Sequence, residues 1–320
     1  MNLSVIVPVY NEAESLPLLH QSIHEALDCL PDLRWEMVLV DDGSTDDSLE
    51  ILEGLASRDS QHVCLVALRR NFGQTAAISA GIDHAQGDVL VLLDADLQND
   101  PADIPMMIEK IEQGYDLVSG WRIERKDPYI TRTLPSRIAN WLISSVTGVH
   151  LHDYGCTLKA YRREVLTGFR LYGEMHRFIP AYANSVGARM IEVPVNHHPR
   201  RFGRTKYGIN RTLKVMLDLF TVKFLLSFAN KPIYLFGGTG ILLSGISLLL
   251  LLFLFIRRIL TGIPALQSPL FWAGVLTMIL GFQSILMGLI AELLARTYHE
   301  AQHKPTYTVR KVVRGEAVAA

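Results

Sequence analysis

The chain has 320 residues, and its 31 basic and 32 acidic side chains give a formal net charge of −1. A hydrophobic fraction of 49% is ample for a core and excludes a disordered chain. The neutrality is a cancellation, because residues 1–118 carry a net charge of −17, residues 119–231 carry +12 and residues 232–320 carry +4. The acidic first third argues against nucleic acid as a partner.

The three cysteines lie far apart in the sequence and form no CxxC pair. Their spacing indicates neither a disulfide framework nor a zinc site, and it fits a reducing compartment. The N-terminus lacks the basic segment that precedes the apolar part of a signal peptide, so its apolar residues predict a strand instead.

Strand and helix patterns alternate through the first 118 residues. Apolar, β-branched runs predict strands over residues 4–10, 35–42, 63–68 and 88–96, and helical patterns occupy residues 13–29, 46–58 and 74–85. Continuous apolar strands with intervening helices predict an α/β fold with a doubly wound, mainly parallel sheet. In such sheets ligands bind at the carboxyl ends of the strands.

Polar clusters follow all four strands at that edge: Tyr10-Asn11-Glu12, Asp41-Asp42-Gly43-Ser44, Arg69-Arg70-Asn71 and Asp94-Ala95-Asp96. Carboxylates directly after a buried strand are costly unless a cation binds them. Asp94, Asp96 and Gln98 alternate toward one side and offer the oxygen ligands that Mg²⁺ or Mn²⁺ prefers. One alternative is a turn with helix-capping aspartates, since Asp100-Pro101 looks like the start of a helix. The others are capping of the next helix by Asp41 or Asp42, with Asp46 as a rival for that role, and a first-turn helical position for Glu12.

Two uncharged segments near the C-terminus change the class of the protein. Ile233–Ile256 and Leu270–Ala291 are long enough, at 1.5 Å per residue, to cross a hydrocarbon core of about 30 Å. A connection of about thirteen residues predicts a hairpin, and the basic flanks place the N-terminal part and the tail in the cytoplasm by the positive-inside rule. The competing reading is a pair of buried helices in a soluble core.

Two further features belong to this region. Residues 208–231 pattern as an amphipathic helix at the membrane interface, with an ordinary surface helix as the alternative. Glycines recur at intervals of seven, and such small residues allow close packing within the hairpin or against a second copy of the chain. They are Gly238, Gly245, Gly274, Gly281 and Gly288.

Together, these motifs carry a resemblance. The blocks SVIVPVYNE, VDDGS and DADLQND with the following proline resemble family 2 glycosyltransferases of the GT-A fold, and most closely their polyprenyl-phosphate branch. That branch includes dolichyl-phosphate mannose synthases, bactoprenol glucosyltransferases and undecaprenyl-phosphate formamido-arabinose transferases. The resemblance covers residues 3 to about 310. It implies a Rossmann-like nucleotide-sugar domain followed by an interfacial helix and a transmembrane hairpin.

The resemblance also implies roles for particular residues. The donor would contact Pro8, Tyr10, Glu12 and Asp42, together with Asp94, Ala95 and Asp96, while Asp96, Asp94 and Gln98 would hold the metal. The acceptor phosphate would contact Arg122, Arg132, Ser136, Arg200 and Lys206. Asp94, Asp96, Asp153 and Arg122 would form the catalytic group, with Asp153 orienting the sugar or an arginine. A lipid phosphate carries up to two negative charges, so the basic region suits the acceptor.

The predicted domains are a cytoplasmic catalytic domain (1–207, with donor and acceptor halves divided near residue 118), a juxtamembrane helix (208–231), the hairpin (232–292) and a cytoplasmic tail (293–320). The expected reaction is inverting transfer of a hexose, foremost from UDP-glucose, to an undecaprenyl-type phosphate at the inner membrane. GDP-mannose, a modified UDP-pentose and a non-catalytic membrane scaffold are the alternatives. A processive synthase is disfavoured because the sequence contains no Gln-x-x-Arg-Trp segment.

Overall fold

The computed structural model describes residues 1–30, 32–123, 143–144, 147–167, 175–199, 201–202, 233–264, 266, 268–301 and 307–315. The chain forms two compact units, one comprising Met1–Phe220 with Pro305–Ala320 and the other comprising Thr221–Lys304. The first unit therefore contains both ends of the chain. The predicted interfacial helix over residues 208–231 lies outside the described residues.

The first unit alternates strands and helices along the chain. Its strands are β1 (Asn2–Val9), β2 (Arg34–Asp41), β3 (Val63–Leu68), β4 (Val89–Leu92), β5 (Leu117–Trp121), β6 (Lys159–Arg162), β7 (Met190–Pro194) and β8 (Val309–Arg314). Its helices are α1 (Leu16–Leu27), α2 (Ser48–Arg58), α3 (Gln74–His84), α4 (Ile104–Glu112), α5 (Arg163–Leu166) and α6 (Ile179–Ser185). Two 3₁₀ turns, Pro101–Asp103 and Met175–Phe178, complete the described elements.

These eight strands form one sheet in the order β7-β5-β6-β4-β1-β2-β3-β8. Strands β1 to β4 run parallel to one another, and β5 and β7 follow the same direction, whereas β6 and β8 are antiparallel to their neighbours. The predicted mainly parallel α/β sheet is confirmed. All six residues of β3 and all four of β4 are buried, as the uninterrupted apolar runs required.

The helices cover the sheet with one apolar face each. In α1 the buried residues Leu16, Leu19, Ile23 and Leu27 recur at spacings of three and four, so a single stripe faces the core. The helix begins at Leu16 rather than near residue 13, after a turn in which the backbone N–H and the hydroxyl of Ser15 both donate to the carbonyl of Glu12. Glu12 is therefore a loop residue, and the alternative of a first-turn helical position is wrong.

Strand β8 was not predicted from the sequence. Its residues pair antiparallel with β3, joining Cys64 to Arg314 and Leu65 to Val313, and the hydroxyl of Tyr307 donates to Asp83 at 2.8 Å. The C-terminal segment thus returns to the sheet of the first unit and covers the edge of β3, which would otherwise be open to pairing with another chain.

The second unit contains helices α7 (Ile233–Thr261) and α8 (Pro269–Ala301), which extend beyond the predicted bounds of 233–256 and 270–291. Both are long and apolar enough to cross a membrane. The helices pack on each other where a Cβ on Gly240 would lie 2.6 Å from the carbonyl oxygen of Gly281. The hydroxyl of Ser247 donates to the carbonyl of Gly274 at 2.6 Å. Gly274 and Gly281 therefore face the partner helix.

Two of the repeating glycines lie elsewhere. Among the described residues, a Cβ on Gly238 or Gly245 would meet no atom within 4 Å, so neither position packs against the described part of α8. The glycine repeat thus divides between an internal contact on α8 and an open face on α7. The prediction that a second copy of the chain packs on such a face stays a prediction.

Candidate active site

The loops after β1 and β2 are fastened to each other. The side-chain oxygen of Asn11 accepts a hydrogen bond from the backbone N–H of Thr45 at 2.8 Å, and Asn11 donates its own N–H to the hydroxyl of Ser44 at 3.0 Å. The N–H of Glu12 donates to the hydroxyl of Ser48 at 2.9 Å. Asn11 has a φ of 52°, in the left-handed region that asparagine tolerates better than most residues. The segment Tyr10–Glu12 is held in a fixed position beside the loop that contains Asp42.

Asp42 holds the loop after β3. Its two carboxylate oxygens accept the backbone N–H groups of Phe72 at 2.7 Å and Gly73 at 2.9 Å. Burial raises the pKa of Asp42, while these two hydrogen bonds act in the opposite direction. Gly43 is required beside it, because its φ is +68° and a Cβ would lie 2.4 Å from the backbone carbon of Arg70.

Helix capping at this loop belongs to another aspartate. The carboxylate of Asp46 accepts the N–H of Ser48, the first residue of α2, at 3.0 Å. Asp41 accepts the N–H of Ser44 at 3.2 Å and closes the turn. The alternative that Asp42 caps the helix is wrong, because its oxygens bond to the loop after β3 instead.

Asp94 and Asp96 follow β4 directly, with Ala95 buried between them. Burial and the charge of Asp96 raise the pKa of Asp94 to about 6, and a hydrogen bond from Thr157 partly offsets this. The oxygens of Asp94 accept the side-chain amide of Gln74 at 2.8 Å and the hydroxyl of Thr157 at 2.6 Å. Neighbouring carboxylates with such a raised pKa are what a divalent cation would stabilise, so these residues fit a metal ion.

The chain turns sharply after this pair. Leu97 has a φ of 59°, and the N–H of Gln98 donates to Asp96 at 3.1 Å. The carbonyl of Gln98 accepts the N–H of His198 at 2.8 Å, and Asn99 forms a β-bridge with His197. The metal-site loop is thereby joined to the segment that immediately precedes the basic run from Arg200 to Lys206.

Asp100 supplies the cap that the sequence suggested. Its carboxylate accepts the N–H of Ala102 at 3.0 Å and contacts His198 at 2.9 Å. The alternative of capping aspartates therefore holds for Asp100, whereas Asp94 contacts the side chains of Gln74 and Thr157.

Arg122 follows β5 and forms a two-point ion pair with Asp153, with Nε and Nη2 donating at 2.7 and 3.0 Å. Asp153 is 2% exposed, so this is a buried pair. Burial alone would lower the pKa of Arg122, but the hydrogen bonds and charge of Asp153 outweigh it and raise the pKa above its usual range. The charge of Asp94 acts in the same direction, so Arg122 also interacts electrostatically with that carboxylate.

Glu192 on β7 orders the segment around Asp153. It accepts the N–H groups of His152 at 2.9 Å and of Asp153 at 3.2 Å, and the ring of His152 contacts it at 2.8 Å. That ring also stacks on Trp121, with centroids 4.3 Å apart. Gly120 is needed at this point, because a Cβ would lie 2.8 Å from the carbonyl oxygen of Leu158.

Lys159 places a second cation behind the site. It is 3% exposed, and its ammonium group donates to the carbonyls of Tyr154 and Cys156. Burial lowers the pKa of Lys159. Its charge favours the ionised form of Asp94, as does the charge of Arg122.

The predicted site residues either lie at the carboxyl edge of the sheet or fall outside the described residues. The carboxyl edge holds Pro8, Tyr10, Glu12, Asp42, Asp94, Ala95, Asp96 and Gln98 at the ends of β1, β2 and β4, and Arg122 and Asp153 at the end of β5 and before β6. Arg132, Ser136, Arg200 and Lys206 lie outside the described residues. Gln74, Thr157, Lys159 and Glu192 were missed, because their contacts join positions distant in sequence; only Gln74, which follows a glycine and begins α3, had a local signal.

The comparisons with known proteins decide the family. The profile of the family described as "Glycosyl transferase family 2" matches residues 4–169. The chain belongs to glycosyl transferase family 2. It is therefore a glycosyltransferase, as the motifs predicted.

Relatives of this family 2 chain match over nearly its full length. A protein of Rhizobium johnstonii named dodecaprenyl-phosphate galacturonate synthase is 42% identical over 322 residues, covering 100% of this chain and 95% of its own. A protein of Pseudomonas aeruginosa named undecaprenyl-phosphate 4-deoxy-4-formamido-L-arabinose transferase is 42% identical over 315 residues, covering 97% of this chain and 90% of its own. Both names place a polyprenyl phosphate in those proteins' reactions.

Solved structures show the same fold as this family 2 chain. Glucosyl-3-phosphoglycerate synthase of Mycobacterium tuberculosis, crystallised with Mn²⁺, uridine diphosphate and glucosyl-3-phosphoglycerate, is similar with a TM-score of 0.51 at 18% identity. The match covers 70% of this chain and 79% of that one. The predicted GT-A fold is confirmed by this likeness.

Proposed function

We propose that this protein transfers a sugar from a nucleoside diphosphate donor to a polyprenyl phosphate at a membrane surface. The observation that carries the proposal is the pairing of two oppositely charged groups at one edge of the sheet. Asp94 and Asp96 suit a divalent cation, and Arg122, fixed by Asp153, supplies positive charge beside them. A diphosphate leaving group and a phosphate nucleophile need these two environments close together.

On the donor side we assign Asp96, with Asp94 and Gln98, to Mg²⁺ or Mn²⁺. When bound, such an ion neutralises charge on the departing diphosphate. Gln74 and Thr157 hold the carboxylate of Asp94 in place through its two oxygens. Asp42 orders the backbone of Phe72 and Gly73, and together with Pro8, Tyr10 and Glu12 it would contact the nucleoside.

On the acceptor side the nucleophile is a phosphate oxygen that is already an anion. A general base is therefore not required, unlike transfer to a sugar hydroxyl. In this proposal Arg122 binds and orients the acceptor phosphate, and Asp153 acts through Arg122 by fixing the guanidinium plane. Arg132, Ser136, Arg200 and Lys206 are proposed as further phosphate contacts. In-line attack at C1 of the sugar would invert its configuration.

The names of two relatives guide our choice of donor sugar. Their names contain galacturonate and formamido-arabinose, a hexuronate and a modified pentose. We therefore propose a uridine-diphosphate sugar of one of these two kinds, with UDP-glucose, the expectation from the sequence, and GDP-mannose as the comparison donors.

The order of the two units along the chain supports a proposal for the side of the membrane on which the catalytic unit lies. Helices α7 and α8 lie in the unit Thr221–Lys304, and the chain enters and leaves that unit from the first unit. If both helices span a bilayer, the catalytic unit and β8 lie on the same side. The basic flanks predict that this side is the cytoplasm, and the short connection between the helices lies opposite.

The test is a donor panel with the full-length protein in detergent. Purified protein, Mn²⁺ or Mg²⁺ and a short polyprenyl phosphate are incubated in turn with UDP-galacturonate, a UDP-linked 4-formamido-arabinose, UDP-glucose and GDP-mannose. Release of the nucleoside diphosphate that depends on the lipid, together with a glycosylated lipid detected by mass spectrometry, supports the proposal. Donor binding without transfer for every donor would instead favour the scaffold alternative.

A further inference from the structure

A cluster of imidazoles and carboxylates lies away from the candidate active site. His20 and His24 occupy neighbouring turns of α1, and Asp59 is the residue that follows α2. The Nε2 atoms of the two histidines lie 3.0 and 2.8 Å from the same oxygen, Oδ2 of Asp59. These three atoms all lie within 4.8 Å of one another. The side chains are 16–23% exposed, so the cluster is accessible from solvent but largely enclosed.

A second set of contacts fixes the orientation of each group. The Nδ1 of His24 lies 2.9 Å from the carboxylate of Asp28, and the Nδ1 of His62 lies 2.9 Å from Oδ1 of Asp59. Histidines that bind metal ions characteristically donate their other ring N–H to a carboxylate, which sets the tautomer and raises the basicity of the ligating nitrogen. His24 and Asp28 have that arrangement, and His62 fixes the carboxylate of Asp59.

We propose that His20, His24 and Asp59 form a binding site for Zn²⁺ or a similar transition metal ion. Two imidazoles four residues apart on one helix and a carboxylate from another element are a common ligand set for zinc. Zinc bonds of about 2.0–2.2 Å in a tetrahedron separate ligand atoms by roughly 3.3 Å. The separations of 3.0 and 2.8 Å from Asp59 need to open by only a few tenths of an ångström, and the two imidazole nitrogens lie within 4.8 Å of each other.

The charges of the cluster also suit a dication. Both nitrogens of His24 face carboxylates, so the imidazoles of the cluster lie between two acidic side chains. A Zn²⁺ ion would displace the proton between His24 and Asp59 and would neutralise Asp59 and Asp28 together.

The site would act as a brace and is separate from transfer chemistry. It joins α1 to the end of α2 at the edge where β2 and β3 begin, whereas the donor residues follow the other ends of these strands. A strand of eight residues such as β2 is roughly 25 Å long, so the two sites are independent. Trp35 stacks on His62 and contacts His24 edge-on, which gives the cluster its own fluorescent reporter.

The experiment titrates the full-length protein, purified without a histidine tag and stripped with EDTA, with ZnCl₂ in detergent. The Asp96→Ala variant serves as the background, so that zinc bound by the donor site is reduced. Calorimetry in buffers of different ionisation enthalpy is expected to show one Zn²⁺ bound with proton release. His20→Gln or His24→Gln should weaken this binding by about 10–100-fold, while His84→Gln, whose ring contacts the carbonyl of Ala80, should not.

A second measurement requires no histidine variant. Co²⁺ added to the stripped wild-type protein should produce the visible absorption of tetrahedral coordination and should change the emission of Trp35, assigned by comparison with Trp35→Phe. Absence of saturable Zn²⁺ binding, or binding that neither histidine variant weakens, would overturn the proposal. The cluster would then be a hydrogen-bonded brace only.

Discussion

Carboxylates lie at both ends of the parallel strands, but their pKa values shift in opposite directions at the carboxyl edge and at the amino edge, where the strands begin. At the carboxyl edge, burial and the charge of Asp96 raise the pKa of Asp94 to about 6. At the amino edge, burial alone would raise the pKa of Asp59, but hydrogen bonds from His24, His62 and His20 outweigh it and lower the pKa to about 2. At the carboxyl edge the charges of Arg122 and Lys159 only partly offset the rise in the pKa of Asp94, whereas three imidazoles hydrogen-bond directly to Asp59.

This difference separates function from stability. A carboxylate that is costly to ionise in the folded protein gains from a bound cation, which is what a donor site with a diphosphate requires. A carboxylate already stabilised by its neighbours contributes to folding even without a bound ion. Substitutions at the two edges should therefore affect different measurements.

The largest effect is expected from Asp96→Ala. Losing this carboxylate removes a proposed metal ligand, and kcat at saturating metal should fall by roughly 10²–10³-fold or more, the range for losing one charge-stabilising contact. Rates of lipid-dependent nucleotide release measure it. The matched control is Asp83→Ala, because Asp83 bonds to Tyr307 outside the strand ends. Near-normal turnover in Asp96→Ala would refute the metal assignment.

The ion pair at the acceptor side should follow. Arg122→Lys keeps the charge but loses the two-point geometry with Asp153, so we expect kcat to fall by about 10–100-fold. The KM for polyprenyl phosphate should rise while the KM for the donor changes little, because the proposed role concerns the acceptor. Arg162→Lys, a partly exposed pair with Asp116, is the control. Equal increases in both KM values would contradict the acceptor role.

The donor half of the sheet was the more predictable from sequence. Strands β1 to β4 are uninterrupted apolar runs, and the polar residues that follow them need only the parallel topology to meet at one edge. This is why Asp42, Asp94 and Asp96 were predicted correctly as strand-end residues. Arg122 followed from a short strand and a matching motif.

What was missed depends on tertiary contacts rather than on local pattern. Strand β8 reads VRKVVR and lies at the edge of the sheet. Its three charged residues interrupt the valines, so it has no apolar run. Thr157 reaches Asp94 across 63 residues and has no periodic signal. At the amino edge, the spacing of His20 and His24 was visible, but Asp59 joins them only when α1 and α2 pack together.

A smaller effect is expected from Thr157→Val, which removes the hydroxyl that bonds to Asp94. That bond stabilises the charged carboxylate, so its loss raises the pKa of Asp94 further above about 6. Because only the ionised form of Asp94 binds a cation, the apparent metal affinity should increase as the pH rises through the pKa of Asp94. The variant should need a higher pH than the wild type to reach the same metal affinity. At pH 6.5 we expect about tenfold weaker metal activation.

Metal titrations of the transfer rate between pH 5.5 and 8 measure this shift. Thr167→Val is the matched control, because its hydroxyl donates to the backbone carbonyl of Arg163 rather than to a carboxylate. A variant whose metal activation has the same pH midpoint as the wild type would show that Thr157 does not control the ionisation of Asp94.

The smallest effect concerns the stability of the amino edge. With EDTA present, Asp59→Asn should lower the free energy of unfolding by about 2 kcal/mol near pH 5.5, since three imidazoles lose a charged hydrogen-bond acceptor. The lowered pKa of Asp59 gives stability that is present above its unfolded value near 4 and is lost as the pH falls toward 2. The raised pKa of His24 gives stability that is present below 6.5 and is lost as the pH rises through its folded value. The difference in the free energy of unfolding between wild type and variant should therefore be largest between about pH 4 and 6.5. Unfolding followed by Trp35 fluorescence measures this difference. A difference that does not change with pH would show that His24 stays uncharged beside Asp59.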